Sequence, residues 1–191
     1  MSFEVPARES RSVKARALSA ASQLLSEGPV EDLSLRAIAD RAGIGLASIY
    51  HYFESKEDLL LRLALRGFAD LRADLEAGRA DTSMGGSMQG AAQAFFRFAA
   101  RRQSLFSLMF DPRMLSRHAD LRDAERVTFA VYEVAVRSDT RIPPENQDDT
   151  AVAIWALGRG MMAMTASHPG NRLPEDLSDR MSRGIAYLLN R

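Results

Sequence analysis

Between Ser34 and Lys56 the chain gathers Ser34, Arg36, Ser48, Tyr50, His51, Tyr52 and Lys56. Hydroxyl, phenol, guanidinium and ammonium groups meet phosphate oxygens, and an imidazole can meet the edge of a base. Leu46 and Ala47 stand among them. A leucine can touch a thymine methyl group but makes no bidentate hydrogen bonds, and an alanine permits close approach. The chemistry on offer is recognition of double-stranded nucleic acid. His51 is the strongest polar candidate for a base contact.

Other chemistries find less to work with. His51, His118 and His168 lie far apart, and His118 with Asp120 does not make a metal-ligand spacing on one helical face. There is no cysteine, which removes thiolate metal sites, disulfides and a cysteine nucleophile. No Gly-x-Ser-x-Gly elbow and no Gly-rich phosphate loop with lysine occurs. Gly158-Arg159-Gly160 is too short to count as one. The chain is therefore expected to be no enzyme and to carry no metal and no cofactor. Formal charge is balanced, with 25 basic and 25 acidic residues, so bulk charge gives no sign of a polyanionic partner. What counts is clustering: Arg8, Arg11, Lys14 and Arg16, then Arg36, Arg41 and Lys56, with acids interspersed. Residues 1–16 lack the apolar run of a signal peptide, and no stretch approaches a membrane span. A cytoplasmic location without membrane contact is the expectation.

Positioning those groups falls to helices. Ala, Leu, Arg and Glu dominate and alternating β-branched runs are absent, so the fold class is all-α. A first helix is predicted from Ser10 or Ser12 to Ser26, ended by Glu27-Gly28-Pro29. Ser34 caps a helix over 35–42, Gly43 makes a tight turn, and a second short helix covers 46–52. Ile38, Ala39, Ile49 and Phe53 point inward, and Ile44 plugs the turn. That leaves Leu46, Ala47, Ser48, Tyr50, His51 and Tyr52 on or near the outer face. This is a helix-turn-helix whose second helix can enter a major groove. Lys56 and Ser34 sit at helix starts, where free N–H groups favour phosphate. Further helices are predicted over 56–77, 87–102, 104–110, 117–138, 146–167 and 175–190. The breaks carry residues 81–87, Asp111-Pro112, Ile142-Pro143-Pro144 and His168-Pro169-Gly170.

Ile38-Ala39, Ala42-Gly43-Ile44, Ile49-Tyr50, Tyr52-Phe53, Lys56 and Leu59-Leu60 resemble the DNA-binding domain of the tetracycline-repressor (TetR) family. The resemblance covers about the first sixty residues and implies a three-helix domain over 1–55. It also implies a larger ligand-binding and dimerisation domain over 56–191, with helix 56–77 joining the two. Implied DNA contacts are Ser34, Arg36, Leu46, Ala47, Ser48, Tyr50, His51, Tyr52 and Lys56. Two positions depart from the pattern: Gly45 and Leu46 stand where polar residues are usual.

Most bulky apolar side chains lie beyond residue 87. As single residues they read as helical core. As a set, aromatics and methionines also suit a cavity for varied apolar ligands. Trp155 and Gly160 are similar to the WHG type of TetR C-terminal domain, with Arg159 at the histidine position. By that resemblance the effector pocket is expected around Phe95, Phe98, Phe106, Met109, Phe110, Phe129, Tyr132, Trp155 and Met162. A homodimer is expected, because a two-fold dimer reads two half-sites. Gly158, Gly160, Ala163 and Ala166, with the stripe Ile185, Leu188 and Leu189, are candidates for its interface. The functional expectation is a repressor that leaves a palindromic operator when a small, largely apolar effector binds. The alternative is a helical protein-interaction module that has lost specific DNA binding.

Overall fold

A computed structural model describes residues 7–81, 83 and 85–168, with the short pieces 176–177, 179–180 and 183–184; side chains are described from residue 13. All regular elements among them are helical. They are α1 (Ala7–Glu27), α2 (Leu35–Ala42), α3 (Leu46–Tyr52), α4 (Lys56–Ala80) and α5 (Ser87–Arg101). Then come α6 (Gln103–Met109), α7 (Pro112–Arg117), α8 (Ala119–Arg137) and α9 (Gln147–Ala166). Short 3-10 turns cover Val30–Asp32 and Pro144–Asn146. The chain forms two compact units, one ending at Ala151 and the other beginning at Val152.

Boundaries differ from the sequence reading in informative places. The first helix begins at Ala7 rather than Ser10, and α4 runs to Ala80 rather than 77. Asp111-Pro112, read as a break, separates α6 from α7 and also starts α7. The Asp111 carboxylate accepts hydrogen bonds from the N–H groups of Arg113 and Met114 at 2.7 and 3.0 Å. Pro112 occupies the first turn, where a missing N–H costs nothing. The helix expected over 117–138 is α8, which starts at Ala119; α7, ahead of it, is a helix the sequence reading did not place. The helix expected over 175–190, with Ile185, Leu188 and Leu189, lies outside the described residues apart from isolated pairs.

In the first unit α4 is the central element and touches α1, α5, α6 and α8. Its buried side, including Leu59, Leu63, Phe68, Leu71 and Leu75, recurs at helical spacing. Gly78 and Gly90 place α4 and α5 backbone to backbone: a Cβ on Gly78 would lie 2.5 Å from the Gly90 carbonyl oxygen. At Gly67 a Cβ would lie 2.6 Å from Met109 Sδ, so α6 also packs on bare backbone.

The smaller cluster joins α1 to α2 and α3. Ala17, Ala20, Ala21 and Leu25 of α1 are buried, as are Leu35, Ile38 and Ala39 of α2 and Ile49 of α3. Alanines on α1 let the short helices approach closely. Ser34 accepts the Ala37 N–H at 3.1 Å and so caps α2. Ser34→Ala leaves that donor without its cap, and stability falls by about 1 kcal/mol in urea unfolding. An unchanged midpoint contradicts the capping role.

Candidate nucleic-acid interface

The α2–α3 turn is built from backbone chemistry. Gly43 takes the left-handed conformation, φ 61° and ψ 42°, which side-chain-bearing residues adopt at a cost. Its N–H reaches the Asp40 carbonyl at 3.2 Å, and the Ile44 N–H reaches Ala39 at 3.0 Å. This crossed pair is the Schellman arrangement that closes a helix end.

The first helix then holds the turn from outside. Arg16 donates to the carbonyl oxygens of Ala42 and Gly43 at 2.6 and 2.8 Å. Near its C-terminal end, Glu27 receives both terminal nitrogens of Arg41, at 2.6 and 2.7 Å. The Arg41 hydrogen bond, and then its charge, hold the Glu27 carboxyl below the ordinary range. By sequence, Arg16 and Arg41 count only as members of a basic cluster. The structure gives both an internal task. No local spacing announces it, since Arg16 bonds across 26 and 27 residues.

With the turn fixed, α3 presents a defined face. Ile49 is buried, and Phe53, the residue that ends the helix, is buried with it. Tyr50 is 59% exposed and Leu46 36%. Ala47 and His51 are exposed, while Ser48 and Tyr52 are half-buried. His51 meets the Tyr52 ring edge-on at 4.8 Å, and Lys14 Nζ lies 5.7 Å from the centre of that ring. The Lys14 charge therefore sits beside the end of α3, a placement that sequence reasoning did not assign.

The flanking candidates retain donors. Arg36 is exposed on the first turn of α2. Ser34 accepts from Ala37, which leaves its own hydroxyl proton free to donate. Lys56 is half-buried and donates to the Glu31 carbonyl oxygen at 3.2 Å. An ammonium has three donors, so two remain. Gly45 precedes α3 in extended conformation and supplies no side-chain cap.

The residues expected to line an effector pocket are mostly core. Phe106 lies 5.4 Å from Phe95 and 4.6 Å from Phe110, ring centre to ring centre, and Phe110 meets Phe68 of α4 at 5.1 Å. Phe98 is buried, with the Arg102 guanidinium 5.2 Å from its ring centre. Met109 is buried over Gly67. On α8, Phe129 is half-buried, and burial pushes the Tyr132 phenol up to about 12. Trp155, buried, and Met162, half-buried, belong to the second unit. An open hollow of about 260 Å³ runs between α4 and α8, edged by Phe68, Val127 and Thr128. None of the nine expected residues lines it.

Two family models match the chain. Residues 17–63 match one described as bacterial regulatory proteins, tetR family. Residues 88–188, more than half of the chain, match one described as a tetracyclin repressor-like C-terminal domain. The chain belongs to the TetR family. It is thus one of a family of transcriptional regulators with a helix-turn-helix DNA-binding domain, and not an enzyme. The C-terminal description does not name the WHG type. A curated TetR-family relative, the HTH-type transcriptional repressor KstR of Mycobacterium tuberculosis, is 34% identical over 70 residues. That match covers 37% of this chain and 32% of KstR, so the chain spans about a third of that relative's length. Among solved structures, a tetR-family transcriptional regulator from Streptomyces coelicolor has a TM-score of 0.72 at 19% identity. The match covers 98% of this chain and 82% of that one. A TetR transcriptional regulator from Legionella pneumophila has a TM-score of 0.67 at 17% identity, covering 98% and 99%. At such identities the likeness is one of fold. Among the described residues no helix is long and apolar enough to cross a membrane.

Proposed function

We propose that this TetR-family regulator is a cytoplasmic homodimeric repressor that leaves a palindromic operator when a small, largely apolar effector binds. The carrying observation is the outward set on a clamped turn. Leu46, Ala47, Ser48, Tyr50 and His51 project from α3, with Tyr52 at its end. Ser34, Arg36 and Lys56 flank them at two helix starts. The α3 side chains read the major groove, and the flanking groups take phosphates. Residues 1–55 are the DNA-binding domain, and residues 56–191 carry the effector and dimer functions. The sign of regulation follows KstR, which is a repressor.

Pairing is supported by the outer side of α9. Val152 is 57% exposed and Met164 42%, and Ala156, Gly160 and Ala163 are exposed along the same helix. A second copy buries that stripe, and the resulting two-fold axis makes the operator a palindrome. The effector is assigned to Phe95, Phe98, Phe106, Met109, Phe110, Phe129 and Tyr132 of the first unit. Phe110 packs on Phe68 of α4, so a ligand that parts these rings bears on the helix leading to the DNA-binding domain. It shifts the protein only by binding the two states unequally.

Selection of genomic fragments by the purified protein tests this reading, with Arg36→Ala/Tyr50→Ala alongside. The wild type enriches one palindromic site and the double variant none. On that site log affinity falls with log salt, by about 0.9 per phosphate contact, and Arg36→Ala lowers the slope by about one. A folded dimer that enriches nothing and shows no salt slope points to the protein-interaction alternative.

A further inference from the structure

We propose that the cleft bounded by α1, α4 and α6 is a second ligand site, taking a small anion with a carboxylate or phosphate head. The cleft holds about 130 Å³, room for a handful of non-hydrogen atoms. Its floor is apolar, made by Leu63 and Leu105, both buried. Its walls are polar. Ser19 and Ser22 of α1 face it, and neither hydroxyl has a hydrogen bond to any described residue.

Charge sets the ligand class. Three charged residues line the cleft: Arg66, Asp70 and Arg102. Asp70 lies four residues beyond Arg66 and would be its ordinary helical partner. Instead Asp70 receives Arg102 at 2.6 Å. Arg66 is left exposed, with no ion pair to any described residue. One unneutralised guanidinium, two free hydroxyls and an apolar floor match an anionic head on a short body. A fork of guanidinium donors accepts carboxylate and phosphate alike.

The position gives such a ligand leverage. Ser19 and Ser22 lie on the helix that carries Arg16, the clamp on the α2–α3 turn, whereas Leu105 lies on α6 in the core. An occupant bridges the two and fixes α1 against α6. Any effect on operator affinity rests on the DNA-binding reading above; binding to the free protein does not.

The test is calorimetric titration of the DNA-free protein with inorganic phosphate and, separately, malonate, at ionic strength held constant with sodium chloride. Saturable binding of either is expected, and which of the two binds more tightly assigns the head group. Arg66→Gln and Ser22→Ala, each first shown to unfold with the wild-type midpoint, weaken it, Arg66→Gln by about tenfold or more. Absence of saturable binding by both anions overturns the site, as does wild-type affinity in Arg66→Gln.

Discussion

Gly90→Ala unfolds at lower urea than the parent, with stability reduced by about 1–3 kcal/mol. The sign is the point. In an ordinary helix interior the same exchange adds roughly 0.5–1 kcal/mol, because glycine loses more freedom on folding. Here the new methyl group would overlap the Gly78 carbonyl oxygen across the α4–α5 crossing. That obstacle is backbone, and it cannot swing aside as a side chain would. The helices must separate, and the buried contacts along both must loosen. Gly78→Ala meets the mirror-image obstacle, the Gly90 carbonyl oxygen at 2.5 Å, and is expected to fall with it. A Gly90→Ala protein as stable as the parent would mean that the helices do not cross so closely.

Phe53→Ala and Tyr50→Ala, three residues apart, are expected to fail in opposite ways. Phe53 has no exposed surface, and removing its ring costs about 3–5 kcal/mol in lost burial and residual cavity. Its N–H closes α3 on the Ile49 carbonyl at 2.9 Å, so the loss falls where the recognition helix meets its support. Thermal unfolding should show a large fall in midpoint. Tyr50 projects into solvent, and its removal leaves the midpoint near that of the parent while weakening DNA binding. If Tyr50→Ala destabilised as much as Phe53→Ala, α3 would be turned the wrong way round.

Much of the DNA-reading half is legible in the sequence because its determinants are local. Gly43 marks a left-handed turn, Ser34 caps the helix that leads into it, and Ile49 and Phe53 fall on one side by helical spacing. Elsewhere the deciding contact is remote. Arg16 and its carbonyl partners are separated by more than twenty residues, so nothing near Arg16 distinguishes it from a solvated base. Gly78 and Gly90 matter only because two helices cross there, and their neighbours give no hint of it. Asp111-Pro112 reads as a break yet left α7 unplaced for a different reason: the residues that interrupt one helix also begin another. Of the aromatic set, Phe95, Phe98, Phe106, Tyr132 and Trp155 are buried, Phe110 and Phe129 are half-buried and Phe96 is exposed. Whether the set encloses a cavity depends on how side chains interlock, and composition carries no such information.

The clamp on the turn bears on how the protein could be re-engineered. Arg16 grips carbonyl oxygens, which every amino acid supplies alike. Inside α3 only Ile49 is fully sequestered, and the residues at 46, 47, 48, 50 and 51 carry no structural load comparable to that of Phe53. Scaffold and reading head are thus separable parts. A library randomised at those five positions, with Arg16, Gly43, Ile49 and Phe53 held constant, should keep its fold across most members while its preferred DNA word changes.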